Sequence, residues 1–334
     1  MRAAEGKAAV LTGAVMARPV ASRTAPMQPD FVRGGVKLCV ATVAAIITAG
    51  AAAQDLEPRA YSNAPIGLNF LIGGYSYTSG GVAIDPSLPL KDAHVEVNAM
   101  TIAYARSFEM LGQSGKFDVV VPYAWLSGDA EFLGQLMHRA VSGGADPRFR
   151  LSLNFYGAPA LSMKDYAQYR QDLIIGASVY VWAPWGQYDS SKLVNLGTNR
   201  WAFKAELGMS KAIGNWTIEL IPGIATFTDN DNFLDGHSRA QDPVYSAQVH
   251  VIYGFQSGVW VALDGTYFTG GRTTVDGVTN ADRQSNSRVG LTVAIPVDRS
   301  NSIKGYASSG VSTRTGGNFN TFGLAWQYRW ADPY

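Results

Sequence analysis

The sequence predicts an all-β protein, a transmembrane antiparallel up-and-down β-barrel of about 12 strands that follows a cleaved signal peptide. Three observations predict it: the composition, the alternation of polar and apolar residues, and the alternation of long and short connections. Charged residues make up 16% of the 334 residues, against roughly 25% in a typical soluble domain. The chain also has 36 glycines and 11% aromatic residues. This composition suits strands that face lipid and excludes a disordered chain or a helical bundle.

A targeting segment precedes the predicted barrel. Arg33 and Lys37 form a basic region, residues 38–48 are apolar, and small residues end at Ala53 before Gln54. A short apolar stretch followed by small residues is typical of a signal peptide that is cleaved on export. The apolar stretch is shorter than the roughly 20 residues that a membrane-spanning helix needs. We therefore expect cleavage after Ala53.

Cleavage divides the chain into a leader and signal peptide, residues 1–53, and an outer-membrane β-barrel, residues 54–334. The single cysteine, Cys39, lies in the leader, so the mature chain would contain neither a disulfide nor a cysteine-based zinc site. Cys39 also precedes the apolar core, whereas a lipid-modified cysteine would follow it. After residue 54 no segment approaches 18 uncharged apolar residues, so no membrane-spanning helix is expected.

Period-two alternation is clearest at the C-terminus, as expected for strands between lipid and a polar interior. The predicted lipid face carries Phe322, Leu324, Trp326, Tyr328 and Trp330. The opposite face carries Thr321, Gly323, Ala325, Gln327 and Arg329. Similar runs predict strands near residues 64–78, 94–110, 116–127, 147–156, 171–183, 200–211, 215–228, 243–255, 259–269, 287–297, 302–312 and 318–330.

The connections between these strands alternate in length. Long, polar connections lie near residues 79–93, 128–146, 184–199, 229–242 and 270–286. Tight connections lie near residues 111–115, 213–215, 256–258 and 298–301. Outer-membrane barrels combine long external loops with short periplasmic turns, so the pattern also predicts an orientation. Residues 157–170 are an exception, because they form a long periplasmic connection that could contain a short helix.

Charged side chains at the bilayer midplane cost roughly 2–4 kcal/mol for Arg or Lys, so strand charges should line the interior. The candidate lumen-lining residues are Glu96, Arg106, Asp118, Arg148, Arg150, Lys204, Glu206, Glu219, His250, Asp264, Arg288, Lys304 and Arg329. They could form a channel surface, or they could pair and fill the barrel. Alternation alone does not separate an open pore from a filled one.

Catalytic and metal sites find little support. Two histidines fall on predicted lumen faces and two in predicted loops, without metal-ligand spacing: His94, His250, His138 and His237. A hydrolase pairing of His250 with Ser246 or Ser178 is conceivable. The acidic stretch at residues 229–235 lacks the glycine position and final glutamate of a calcium loop. We expect no catalytic residue, cofactor or metal.

Two blocks carry a specific resemblance. Residues 144–161 read GADPRFRLSLNFYGAPAL, and residues 169–208 read YRQDLIIGASVYVWAPWGQYDSSKLVNLGTNRWAFKAELG. They resemble the outer-membrane protein family named after the meta-pathway of phenol degradation, whose members are regarded as transporters. The resemblance runs from about residue 60 to the C-terminus. It implies an outer-membrane barrel that passes hydrophobic or aromatic compounds, and it supplies no established catalytic or binding residues.

The expected function is therefore a channel for small hydrophobic or aromatic solutes in the outer membrane of a Gram-negative cell. The expected partners are outer-membrane lipid, the solute, and the barrel-assembly machinery during insertion. The net charge of +1 gives no indication of a nucleic-acid partner. The alternatives are a structural or adhesive barrel with a plugged interior and, third, a barrel hydrolase.

Overall fold

The computed structural model describes residues 56–83, 90–132 and 135–332. The predicted leader lies outside these residues. Almost all regular structure in the described residues is β-strand. The strands of the first half are β1 (Leu68–Ala83), β2 (Leu90–Met110), β3 (Gln113–Phe132), β4 (Gln135–Gly144), β5 (Arg148–Tyr156), β6 (Leu173–Trp182), β7 (Ala202–Ile213) and β8 (Trp216–Phe227). Those of the second half are β9 (Asn230–Phe233), β10 (His237–Gln241), β11 (Val244–Gly254), β12 (Trp260–Gly270), β13 (Thr273–Val275), β14 (Val278–Thr279), β15 (Gln284–Pro296), β16 (Asn301–Thr313) and β17 (Gly316–Ala331).

Thirteen strands form one closed antiparallel sheet, in which β1 pairs with both β2 and the last strand, β17. Strands β4 and β5 both pair with β3, one above the other, and together occupy a single position in the wall. The wall therefore has twelve positions, which confirms the predicted antiparallel barrel of about 12 strands. Strands β9, β10, β13 and β14 form a separate small sheet.

The outer surface of the barrel is apolar, because alternate residues of each strand point away from the lumen. On β7, Phe203 and Leu207 are exposed, while the intervening Lys204 and Glu206 are buried. On β17 the five large apolar residues of the predicted lipid face are all exposed. An apolar outer surface around a closed barrel is what a membrane-spanning barrel presents to lipid. Among the described residues, no helix is long and apolar enough to span a bilayer.

The two ends of the barrel differ. We call one the turn end; it carries the short connections at residues 111–112, 214–215, 255–259 and 297–300, and the connection 157–172. Leu111 and Gly112 both have positive φ, 54° and 74°, as a two-residue hairpin turn requires. Outward aromatic side chains gather near this end, where Trp216 and Tyr253 lie 4.8 Å apart between ring centroids. The opposite end, with connections 183–201, 228–243 and 271–283, is the loop end.

The structure corrects two predicted loops. The described parts of residues 79–93 and 128–146 are largely strand, because β1 to β4 continue past the neighbouring strands at the loop end. Pairing extends to Gly81 opposite His94 and to Phe132 opposite Gln135. Beyond the membrane both faces of a strand can be polar, so this part of the sheet has the composition of a loop. The connection 157–172 contains a short helix, α1 (Met163–Tyr166).

Candidate functional site: a cavity in the lumen

Residues 56–66, which we call the N-terminal segment, lie inside the barrel at the turn end. Hydrogen bonds fix its backbone to the wall: the Arg59 N–H donates to the Glu219 carboxylate at 2.8 Å, and the Lys116 ammonium donates to the Ala60 carbonyl at 3.0 Å. The Ile66 N–H donates to the carbonyl of Leu161, in the connection 157–172, at 2.9 Å. The segment therefore joins that connection in closing the turn end.

Tyr61 anchors the N-terminal segment. It is 1% exposed and packs with Ala158, Ile174 and Ile221. Its hydroxyl accepts a hydrogen bond from Ser178 at 2.9 Å. A Cβ added at Gly208 would lie 2.0 Å from the Tyr61 ring, so only glycine leaves room for the ring at that wall position.

Glu57 connects the same segment to a charged part of the wall. It accepts hydrogen bonds from Arg148, at 2.7 Å, and from Arg150. Asp118 pairs with the same two arginines from β3. All four side chains are three-quarters or more buried, so each charge depends on its partners. This cluster holds the start of the segment in the middle of the lumen.

A second element closes the loop end. Residues 183–201, which we call the inward loop, turn into the barrel mouth, and Leu193 and Leu196 pack on the apolar cluster of Ala93, Val95 and Leu126. Burial of these side chains between the loop and the wall stabilises the closed arrangement.

Asp146, in the interruption between β4 and β5, fixes the base of the inward loop. Its carboxylate accepts hydrogen bonds from the Gly186 N–H at 2.9 Å, the Thr198 N–H at 2.8 Å and the Thr198 hydroxyl at 2.6 Å. A single side chain thus joins both ends of the loop to the wall. Its replacement would leave three donors without this acceptor.

Between the N-terminal segment and the inward loop lies a cavity of about 640 Å³. This volume falls within the range of roughly 300–1,000 Å³ that is typical of small-molecule sites. One wall, from β1 to β3, is mainly apolar and includes Ile72, Val95, Val97, Ala99, Ala103, Val120, Pro122, Ala124 and Leu126, while Ser76, Thr78 and Thr101 also line it. The remaining wall carries the charged lining residues Glu57, Asp146, Arg148, Arg200, Asp264, Arg288 and Lys304.

Two of these lining arginines have unsatisfied donors. Arg200 is 2% exposed; one terminal nitrogen donates to Gln241, while its Nε and Nη1 have no hydrogen-bond acceptor. Its guanidinium lies 4.4 Å from the centroid of the Phe227 ring. Burial, together with the nearby Arg239, lowers the pKa of Arg200 well below its usual value. Because a guanidinium stays protonated at neutral pH, the shift marks a positive charge that the protein compensates poorly.

Arg288, on β15, is 6% exposed. Its Nη2 donates to the Ser308 hydroxyl at 3.0 Å and to the Phe319 carbonyl at 2.9 Å. Its Nη1 is buried without a hydrogen-bond partner. Both acceptors are neutral, so Arg288 resembles Arg200 in lacking a hydrogen-bonded carboxylate.

Most of the sequence-predicted lumen residues lie on the inner side of the wall. The structure buries Asp118, Lys204, Glu206, Glu219, His250, Asp264 and Arg288. Arg148, Arg150 and Lys304 lie there as well, around Glu57. Within this set, Lys204 pairs with Glu206 at 2.7 Å and His250 pairs with Asp264 at 2.7 Å.

Three predicted residues lie elsewhere. Glu96 is exposed on the outer face of β2, where it accepts a hydrogen bond from the Tyr77 hydroxyl. His94, also predicted to face the lumen, points outward as well, because Val95 and Val97 are the inward residues. At this position β2 extends above the surrounding wall, so an outward charge there does not face lipid. Arg106, also outward, lies near the turn end and pairs with Asp332 at 2.6 Å.

Arg329 is the third, exposed at the turn end. Its Nε donates to the carbonyl of Arg299 at 2.8 Å, in the connection between β15 and β16. Near the bilayer surface the cost of a charge falls to roughly 0–1 kcal/mol, which explains why alternation alone misplaced the terminal charges.

The structure does not bring together the conceivable hydrolase pair. The Nδ1 of His250 bonds to Asp264, and its Nε2 is buried with no partner among the described residues. Ser178 bonds instead to Ser152 and Tyr61. No group of three potential metal ligands occurs in the part of the chain that the structure describes.

Sequence reasoning missed both elements that close the cavity. The N-terminal segment was counted partly as strand and the inward loop as an external connection. One signal was available: Gly176 and Gly208 stand at inward positions of adjacent predicted strands, where a Cβ would meet Tyr61 at 2.8 and 2.0 Å. Glycine inside a strand often marks a close approach of another part of the chain.

Comparison with known proteins gives one family model and several similar solved structures. The family model described as "Putative MetA-pathway of phenol degradation" matches residues 69–328. Among solved structures, the COG4313 outer membrane channel from Pseudomonas putida F1 has a TM-score of 0.72 at 20% identity, covering 83% of this chain and 100% of that chain. The β domain of the Bordetella autotransporter BrkA has a TM-score of 0.48 at 10% identity, covering 79% and 100%. No curated protein sequence matches the chain.

Proposed function

Because the chain belongs to this phenol-degradation family, we propose that it is an outer-membrane channel for small hydrophobic or aromatic molecules. The observation that carries the proposal is the cavity of about 640 Å³, apolar on one side, enclosed within a membrane-spanning barrel. A cavity of this size has ample room for an aromatic ring with substituents. The likeness to a channel from Pseudomonas putida F1 supports the same class of function.

In this proposal the turn end faces the periplasm and the loop end faces outward. The signal peptide directs export, cleavage follows Ala53, and the barrel-assembly machinery inserts the mature chain. A solute enters past the inward loop, occupies the cavity and leaves past the N-terminal segment. Neither element is a strand of the barrel sheet, so either can move without breaking the hydrogen bonds between wall strands.

Single-channel recording in planar bilayers tests the proposal. A variant that lacks residues 56–62 removes the contacts of Glu57, Arg59 and Tyr61 while leaving β1 whole. We expect the complete chain to show brief, small conductances and the shortened chain to stay open longer. We also expect benzyl alcohol, added to either side, to reduce the current through both.

The competing function is a structural barrel with a filled interior, which the two closing elements would favour if they never moved. A shortened chain that folds, shown by heat-modifiable migration, but passes no current would support that alternative. Cleavage of an ester by the purified protein, abolished by His250→Ala, would indicate the barrel hydrolase instead.

A further inference from the structure

The charges in the cavity are unevenly compensated. The three acidic lining residues are each engaged: Glu57 with Arg148 and Arg150, Asp264 with His250 and Thr292, and Asp146 with the donors of the inward loop. Four basic residues line the same cavity, and two of them, Arg200 and Arg288, donate only to neutral acceptors. The arginines that line the cavity therefore have spare donors and spare positive charge, whereas its carboxylates are already occupied.

A buried donor without an acceptor is unfavourable, and more so when it is charged. Three such nitrogens occur on Arg200 and Arg288, and both residues line the cavity. A planar carboxylate matches a guanidinium with two parallel hydrogen bonds, which is the strongest acceptor arrangement available to it. A small rotation of either side chain toward the cavity would present these donors to an occupant.

The opposite wall, formed by β1 to β3, favours an apolar part of a ligand. From Val95 to Ala103 on β2 and from Val120 to Leu126 on β3, the lining side chains carry almost no polar atoms. A small inorganic anion would leave this apolar surface in contact with water. An aromatic ring would cover it and would displace that water favourably.

From these two walls we infer that the preferred solute is an amphipathic aromatic anion, a ring bearing a carboxylate, with the ring on the β1–β3 wall and the carboxylate toward Arg200 or Arg288. The inference rests on the proposed function, because it names the solute class of the same cavity. It differs from that function in requiring a negative charge on the ring.

Calorimetric titration of the detergent-solubilised full-length mature protein tests it with four probes. Benzoate, benzyl alcohol and benzylammonium share a ring and differ in charge, while acetate keeps the carboxylate and lacks the ring. We expect benzoate to bind about tenfold or more tightly than benzyl alcohol, since a charge-assisted hydrogen bond contributes about 1.5–3 kcal/mol. Benzylammonium and acetate should bind more weakly than either.

Two variants locate the carboxylate. Arg200→Met and Arg288→Met keep an unbranched apolar side chain, and at least one should weaken benzoate about tenfold while changing benzyl alcohol less than twofold. The matched control is Arg272→Met, at the loop end, where the side chain is 47% exposed; it should change neither affinity. The probe series on the unaltered protein decides the inference even if a variant fails to fold.

The outcomes separate the two proposals. Benzyl alcohol binding as tightly as benzoate overturns the anion inference and leaves the channel for neutral aromatic solutes intact. Acetate binding as tightly as benzoate also overturns it, because the ring would then contribute nothing. If no aromatic probe binds and none reduces the channel current, the proposed function itself fails.

Discussion

Replacing Tyr61 by alanine should release the N-terminal segment from the lumen. The side chain is 1% exposed, and a buried aromatic side chain of this kind covers roughly 150–250 Å². At about 25 cal/mol per Å² its burial contributes about 4–6 kcal/mol, and truncations of buried aromatic residues cost about 3–5 kcal/mol. With a factor of ten for every 1.4 kcal/mol, the released state should become roughly a hundredfold to several thousandfold more populated.

Hydrogen exchange of residues 56–66 in lipid nanodiscs measures this population. The Arg59 N–H, bonded to Glu219 at 2.8 Å, exchanges only when the segment leaves the wall. The matched control is Tyr61→Phe, which keeps the ring and removes the hydroxyl that accepts from Ser178. Loss of this hydrogen bond is worth about 1 kcal/mol, so exchange should accelerate only about fivefold. Equal exchange in the two variants, or an alanine variant within threefold of the unaltered protein, would refute the role of the buried ring.

Three further predictions concern the wall and the inward loop. Trp326→Arg, on the lipid face, should cost roughly 2–4 kcal/mol if it lies near the midplane, and should therefore reduce the inserted fraction measured by heat-modifiable migration. The inward Gln327→Arg should be tolerated better. A lower inserted fraction for Gln327→Arg than for Trp326→Arg would mean that the faces of β17 are misassigned. Gly208→Val should accelerate hydrogen exchange of residues 56–66, because the new side chain would displace the Tyr61 ring. Gly73→Val should not, because no atom lies within 4 Å of the Cβ position at Gly73. Similar exchange rates in the two variants would contradict this packing. Asp146→Ala should accelerate hydrogen exchange across residues 186–198 about tenfold, since unsatisfied buried donors cost about 1–3 kcal/mol. An unchanged exchange rate would show that apolar packing alone holds the inward loop.

The sequence predicted the barrel wall well because lipid imposes a strict rule on it. Every second residue of a spanning strand must be apolar, so Phe203 and Leu207 identify one face and Lys204 and Glu206 the other. Outside the bilayer, a strand is not required to have an apolar residue at every second position. For this reason the described parts of residues 79–93, which extend beyond the bilayer, resemble a loop in sequence.

The candidate site was less predictable, because it depends on contacts between distant parts of the chain. Tyr61 lies in the lumen only because Gly208, far along the chain, leaves space for it. The charges of Arg148 and Arg150 could be assigned to the interior from alternation, but their partner Glu57 comes from a segment outside any strand. Period-two alternation indicates only which face of a strand a residue occupies, so it contains no information about either of these contacts.

The N-terminal segment also constrains the order of biogenesis. Glu57 bonds to Arg148 and Arg150 on β5, Tyr61 to Ser178 on β6, and the Arg59 N–H to Glu219 on β8. All three strands follow the segment in the chain, so the segment can reach its place only after the part of the wall that receives it has formed. Residues 56–66 precede every strand of the barrel in the sequence and would be among the last to fold.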